Sequence, residues 1–180
     1  MYFNEMDKAG HRYGPDNDER LKAKLFELDK HLGDLFKGVK ESNLPVNIII
    51  VSDHGMSNVL LDKYITVDSV KNDELYLTVD NGAMVNIYPK QNSQIEFIFN
   101  SLKAKEKLNN FKVYKTKNTP SFEYTPKNKN WGAIQLIPNN GYYFTSTSRL
   151  ERRRKTGGTV FGQHGYDTKD KNMHGIFYAN

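Results

Sequence analysis

The chain has 180 residues and a mass of 20.8 kDa, with 37% hydrophobic and 26% charged residues, the make-up of one water-soluble globular domain. Its longest uninterrupted apolar run, residues 48–51, falls far short of the roughly 20 residues that span a bilayer, which excludes a membrane helix. Twenty-six basic against twenty-one acidic side chains leave +5, a mild excess that suits an anionic substrate, and the absence of cysteine excludes a disulfide scaffold, a thiolate metal site and a cysteine nucleophile.

Residues 1–14 (MYFNEMDKAGHRYG) show neither a helical nor a strand period and are punctuated by Gly10, Gly14 and Pro15, so they read as an extended piece running into a loop, without the apolar core of a leader peptide. A strong amphipathic helix follows. Asp16 with Glu19 makes a capping pair, and Leu21, Leu25, Leu28, Leu32, Leu35, Phe36 and Val39 recur at steps of three and four to about Lys40. Asn43 and Pro45 end it, and residues 46–51 (VNIIIV) read as a strand buried on both faces. Shorter strands are expected at 65–67, 75–79 and 83–88, the last two joined by the hairpin turn Asp80-Asn81-Gly82. A second helix is expected over 94–108, with Ile95, Phe99 and Leu102 on one side. Strands follow at 111–114, 133–137 and 142–145, with residues 138–141 (PNNG) turning between the last two. Residues 146–163 read as a polar, basic surface loop and 176–179 as a final strand. Buried strands mixed with long amphipathic helices indicate an α/β layered architecture in one domain.

Of the five histidines, His31 on the long helix and His174 before the final strand read as structural. The other three share a setting: a loop or strand end, a nearby glycine and a nearby carboxylate. His11 follows Asp7 by four, His54 adjoins Asp53, and His164 is followed by Gly165 and Asp167. Imidazole nitrogen with carboxylate oxygen is a ligand set for zinc and similar divalent ions, and ligands on loops converge from far apart in sequence. One such pair is common by chance. Three in a chain with so few histidines point to a metal site, and Asp53-His54 ends a strand, where α/β sheets place their ligands.

Three segments, residues 2–15 (YFNEMDKAGHRYGP), 49–56 (IIVSDHGM) and 162–167 (GQHGYD), resemble in wording, order and spacing the nucleotide pyrophosphatase/phosphodiesterase family, the type I phosphodiesterases of the alkaline phosphatase superfamily. Residues 59–149 match it only loosely. The resemblance implies a partial alkaline-phosphatase-like α/β/α sandwich around a mostly parallel central sheet, with residues 1–180 forming the C-terminal portion of a catalytic domain. It implies two zinc ions, one on Asp7, His11 and His164 and the other on Asp53 and His54. The implied reaction is hydrolysis of phosphodiester or pyrophosphate bonds of nucleotides through a covalent phospho-enzyme. Three protein ligands leave a position open for water or a phosphoryl oxygen, and two ions a few Å apart can clamp a phosphodiester.

In that family the nucleophilic Thr or Ser and an Asp that completes the second metal site lie upstream of the segment that opens this chain. The catalytic nucleophile is therefore unknown here, the isolated chain is expected to be inactive, and its expected partner besides the substrate is the upstream part of its own domain. Ser52 and Ser57 read as turn or capping residues. The family implies an extracytoplasmic location and no specific nucleic acid partner, and the lack of cysteine sets this chain apart from disulfide-bearing animal members. Two rivals are a phospholipid-headgroup phosphodiesterase of the same superfamily and a non-catalytic metal- or nucleic-acid-binding module. The basic run of residues 149–155 (RLERRRK) reads as a solvated loop, with a second reading in which it borders the site and attracts polyanions.

Overall fold

The computed structural model describes residues 1–120 and 129–179. Its opening corrects the expectation of an extended segment: the chain forms α1 (Glu5–Tyr13). Glu5 and Asp7 lie in the first turn and His11 and Arg12 in the last, so the charges favour the helix dipole. Gly10, which argued against a helix, is buried at a close approach where a Cβ would stand 2.5 Å from Met56 Sδ. Gly14, at φ 82°, closes α1 by donating its N–H to the Gly10 carbonyl at 2.8 Å. The expected long helix is α2 (Asp18–Glu41), capped by Asn17, whose side chain accepts from the Arg20 amide at 3.2 Å. Asp16 instead accepts a hydrogen bond from the Asn58 side chain.

After α2 come β1 (Ile49–Val51), β2 (Ser57–Leu60), β3 (Tyr64–Thr66), β4 (Tyr76–Asp80) and β5 (Val85–Pro89). Then follow α3 (Ile95–Lys103), α4 (Glu106–Asn109), β6 (Phe111–Lys115), β7 (Ile134–Pro138), β8 (Tyr143–Thr145), α5 (Thr147–Lys155), β9 (Val160–Gln163) and β10 (Phe177–Ala179). The class is α/β, as expected. The sheets include parallel pairing, between β3 and β8. The four-stranded sheet, in the order β4-β5-β7-β6, is antiparallel throughout, as are β2–β9 and β1–β10. For β4 and β5 the short turn from Asp80 to Val85 forces this, since it can only return a strand antiparallel. The parallel β3–β8 pair needs a long crossover, and the whole four-stranded sheet serves as one.

Two further expectations are corrected. The helix over 94–108 divides into α3 and α4, and Glu106 accepts from the Val113 amide at 2.6 Å, which clasps the second piece to β6. The basic stretch read as a loop holds α5 and β9. Ser146 caps α5 by accepting from the Arg149 amide, Leu150 is buried beneath it, and four cations in its last turn suit the dipole.

The main core lies between the four-stranded sheet and α3, where Val85, Ile87, Ile98, Leu102, Phe111, Val113, Ile134 and Leu136 are almost wholly buried. Each contributes about 1.5–3 kcal/mol by the usual area scaling. A second core of Val59, Tyr64, Leu150 and Phe161 joins β2, β3, α5 and β9. The strand expected to be buried on both faces is not: Ile49 is 64% and Val51 61% exposed, and on its partner β10 Phe177 is 73% exposed. The apolar run has the composition of an interior strand, but the described residues supply β1 with one neighbouring strand and leave the face of Ile49 and Val51 exposed, while Ile50 on the other face is partly buried.

Candidate metal centre

Asp7 and His11 stand four residues apart on α1 and so on one side of it, with His11 Nε2 3.4 Å from Asp7 Oδ1. The His11 ring is fixed from behind, because its Nδ1–H donates to the carbonyl of Gly162 in β9 at 2.8 Å. That contact requires a close crossing of helix and strand. A Cβ on Gly162 would lie 2.3 Å from the Gly10 carbonyl oxygen and 2.2 Å from Met56 Sδ. His164 follows β9 directly, its Nε2 3.9 Å from Asp7 Oδ1 and its ring centroid 5.0 Å from that of His11.

His54 comes three residues after β1 and stacks on His164, with centroids 3.6 Å apart and planes at 13°. Its Nδ1–H donates to the Gly55 carbonyl at 2.8 Å, and its Nε2 lies 3.6 Å from Asp53 Oδ1. The loop carrying both is pinned to the final strand: the Gly55 amide donates to Met173, the Ser52 amide to Ile176, and the Ile176 amide to Ser52 Oγ. The five singled-out residues thus come together from α1, the loop after β1 and the end of β9. Ligand atoms of Asp7, His54 and His164 lie within 4.8 Å of one another, the one such group of three among the described residues. His54 therefore bridges the two ligand sets that the resemblance implies, through its stack on His164. Asp53, mostly exposed, stands at the rim.

The electrostatics of this cluster fit a cation. A carbonyl can only accept, so Nδ1 carries a proton in His11 and in His54, and Nε2 of each ring faces a carboxylate oxygen. Ligating histidines are held in this way, by a hydrogen bond from the other ring nitrogen. Asp7 Oδ1 is buried and accepts no hydrogen bond. His164 has its pKa lowered, first by burial and then by the neighbouring His54 and His11, which favours the neutral ring with a free lone pair. A carboxylate oxygen and ring nitrogens converging in this way suit a divalent ion of the zinc type.

His31 lies exposed on α2, and the His174 ring donates to the Thr168 carbonyl at 3.2 Å. Ser52 secures the final strand, and Ser57 opens β2, buried, rather than capping a turn. Sequence reasoning did not find Gly10 and Gly162, whose missing side chains let α1 meet β9. Their adjacency to His11 and near-adjacency to His164 was the available signal.

A profile of the type I phosphodiesterase / nucleotide pyrophosphatase family matches residues 1–167. The chain belongs to this family. The human bis(5'-adenosyl)-triphosphatase is 30% identical over 182 residues, which takes in the whole of this chain and 38% of that protein; the Xenopus laevis protein of the same name is 29% identical with the same coverage. Among solved structures, murine ectonucleotide pyrophosphatase/phosphodiesterase 5 superposes with a TM-score of 0.81 at 29% identity, over 99% of this chain and 46% of that one. An inactive form of that murine protein in complex with AMP superposes with a TM-score of 0.80. This chain therefore spans less than half the length of these relatives. No helix among its described residues is long and apolar enough to cross a membrane.

Proposed function

We propose that residues 1–180 are the C-terminal portion of a catalytic domain that hydrolyses phosphodiester or pyrophosphate bonds of nucleotides, outside the cytoplasm, with two zinc ions and a covalent phospho-enzyme. Asp7, His11 and His164 hold one ion, and Asp53 and His54 contribute to the other. The hydroxyl nucleophile and the remaining ligand come from outside these residues. What carries this reading is the convergence of the His11 and His164 ring nitrogens on Asp7 in a chain of this family. The names of the relatives, a bis(5'-adenosyl)-triphosphatase and an ectonucleotide pyrophosphatase/phosphodiesterase family member, support the reaction class and the location.

Zinc ions held by Asp7, His11 and His164 and by Asp53 and His54 would supply Lewis-acid polarisation of a phosphoryl oxygen. The chain's own part is positioning. The Gly162 and Gly55 carbonyls orient His11 and His54, the crossing of α1 with β9 sets Asp7 against His164, and burial keeps His164 neutral. The test is zinc titration of the purified chain and of His11→Ala, followed by assay with a chromogenic nucleotide phosphodiester. The expected result is zinc binding that is weakened in His11→Ala, without turnover, since loss of a nucleophile costs several orders of magnitude in rate. Absence of zinc binding would overturn the ligand assignment, and strong zinc-dependent hydrolysis would overturn the placing of the nucleophile outside the chain.

A further inference from the structure

The three segments that carry the candidate ligands meet at one sulfur atom. Met56 lies two residues after His54, Gly10 directly precedes His11, and Gly162 stands two residues before His164. A Cβ added at Gly10 would meet Met56 Sδ, and one added at Gly162 would meet both that sulfur and the Gly10 carbonyl oxygen. The thioether therefore fills the slot that the two glycines leave at the crossing of α1 with β9, and it reaches that slot from the loop that carries Asp53 and His54. An unbranched, polarisable side chain with three rotatable bonds suits so irregular a gap. The same crossing holds the 2.8 Å bond from His11 Nδ1 to the Gly162 carbonyl, which exists only while helix and strand stay close. Met56 is partly exposed, and because the chain has no cysteine its five methionines are the sulfur groups open to oxidation.

We infer that Met56 is an oxidation site that controls the metal centre: hydrogen peroxide converts its thioether to the sulfoxide, and the added oxygen parts α1 from β9 and weakens metal binding. This rests on the ligand assignment proposed above. In the step, a sulfur lone pair attacks one oxygen of the peroxide, the S–O bond forms as the O–O bond breaks, and the proton on the transferred oxygen passes to the departing one. Sulfur is oxidised by two electrons and the peroxide is reduced to water. The product is bulkier and polar, and its oxygen is a hydrogen-bond acceptor. It stands in a filled slot against the Gly10 carbonyl, another acceptor, so repulsion adds to overpacking. When the crossing opens, His11 loses the carbonyl that orients it, and the loss of such an outer bond costs a metal site roughly 10- to 100-fold in affinity.

The test treats the purified, metal-free chain with hydrogen peroxide, locates methionine sulfoxide by peptide mass spectrometry, and then measures zinc affinity against a competing chelator together with thermal melting. The parent is compared with Met56→Leu, which keeps the volume and has no oxidisable sulfur, and with Met56→Gln, which places a polar group in the slot without any oxidant. In the parent, zinc affinity should fall roughly 10- to 100-fold in step with sulfoxide at residue 56, and reduction by a methionine sulfoxide reductase should restore it. Met56→Leu should keep its affinity through the same treatment, although Met1, Met6, Met84 and Met173 remain to be oxidised. Untreated Met56→Gln should bind zinc as weakly as the oxidised parent. An equal loss in Met56→Leu would overturn the proposal, as would unchanged affinity with residue 56 fully oxidised, or a Met56 that stays reduced while Met1 is consumed. A parent chain that binds no zinc before treatment would remove the metal assignment, and melting then decides: a drop confined to chains with Met56 sulfoxide would keep Met56 as the oxidation site that opens the crossing, and no drop would overturn it.

Discussion

Asp7 Oδ1 is buried, accepts no hydrogen bond and faces Nε2 of His11 at 3.4 Å. Without a cation this arrangement is unfavourable, because a desolvated carboxylate oxygen without a partner costs on the order of 1–3 kcal/mol or more. Asp7→Asn keeps the volume, removes the charge and offers an N–H to the ring. The metal-free variant is accordingly expected to melt no lower than the parent chain. The parent should gain about 2.7 kcal/mol at a zinc concentration one hundred times its dissociation constant, and the variant should lose most of that gain. Differential scanning fluorimetry with and without zinc reads both halves, and a variant that melts lower without metal yet still responds fully to zinc would contradict the argument. The same residues show what a sequence discloses at this scale. Asp7, His11, Asp53, His54 and His164 were legible because metal chemistry admits few side chains and each pair sits in a local pattern. Gly162 and Gly10 were not, because a glycine that matters for what it leaves empty is recognised only when the opposite surface is known. Gly162→Ala is expected to lower stability by about 1–3 kcal/mol, as overpacking does, and to weaken zinc binding, since α1 must move and the bond from His11 to the Gly162 carbonyl goes with it. Chemical denaturation and zinc titration of this one variant test both effects.

Among the elements, α5 has the least obvious origin. Its sequence is basic and is followed by Gly157-Gly158, which reads as a loop, yet it is held by groups far away in the chain. Asp68, in the turn after β3, accepts from the Thr147 hydroxyl and from the Thr147 amide at 3.3 Å, so it serves the first residue of α5 in the manner of a cap, while Lys71 pairs with it at 2.8 Å. Lys71, and after it Thr147, lower the Asp68 pKa from the ordinary 3.8 to about 2. A carboxyl whose folded value lies below its unfolded one adds stability above the unfolded value, and loses it as pH falls towards the folded value. Asp68→Asn should therefore melt roughly 2–4 °C below the parent near pH 6, for a loss of about 1 kcal/mol at this partly exposed site. The difference should disappear between about pH 4 and pH 2; a gap that persists at pH 2 would show that Asp68 acts by packing rather than by charge. Such a helix is invisible to periodicity because Asp68 and Thr147 are 79 residues apart. Helix α2 shows the converse case. Its apolar spacing over seven positions made it plain in the sequence, since that signal is local, although none of its residues is buried among the described ones.

At the scale of the whole molecule, the apolar surface falls into two unlike sets. The four-stranded sheet and α3 bury theirs together, and that half reads as a self-sufficient core. Strands β1 and β10 do not: Ile49, Val51, Phe177 and Tyr178 are exposed along a two-stranded ribbon, and Leu25, Phe26 and Phe36 are exposed on α2. Two strands alone are marginal in water, and an exposed apolar strand with a free edge recruits further strands. The sequence pattern anticipated an interior strand at 46–51, and what it could not disclose is that one face of it, with Ile49 and Val51, is left exposed among the described residues. The purified chain is accordingly expected to self-associate through this ribbon, with a sedimentation profile that shifts to larger species between micromolar and tens of micromolar concentration and with binding of a hydrophobic dye. Ile49→Lys together with Val51→Lys places two charges on exposed positions, as natural edge strands do. It should return the chain towards a monomer without lowering the melting temperature of the main core, which shares none of these residues. Sedimentation velocity of the two proteins decides the matter. A parent chain that stays monomeric at high concentration would mean that the ribbon is covered in solution, and an equally associated variant would place the sticking surface elsewhere, with α2 the next face to charge.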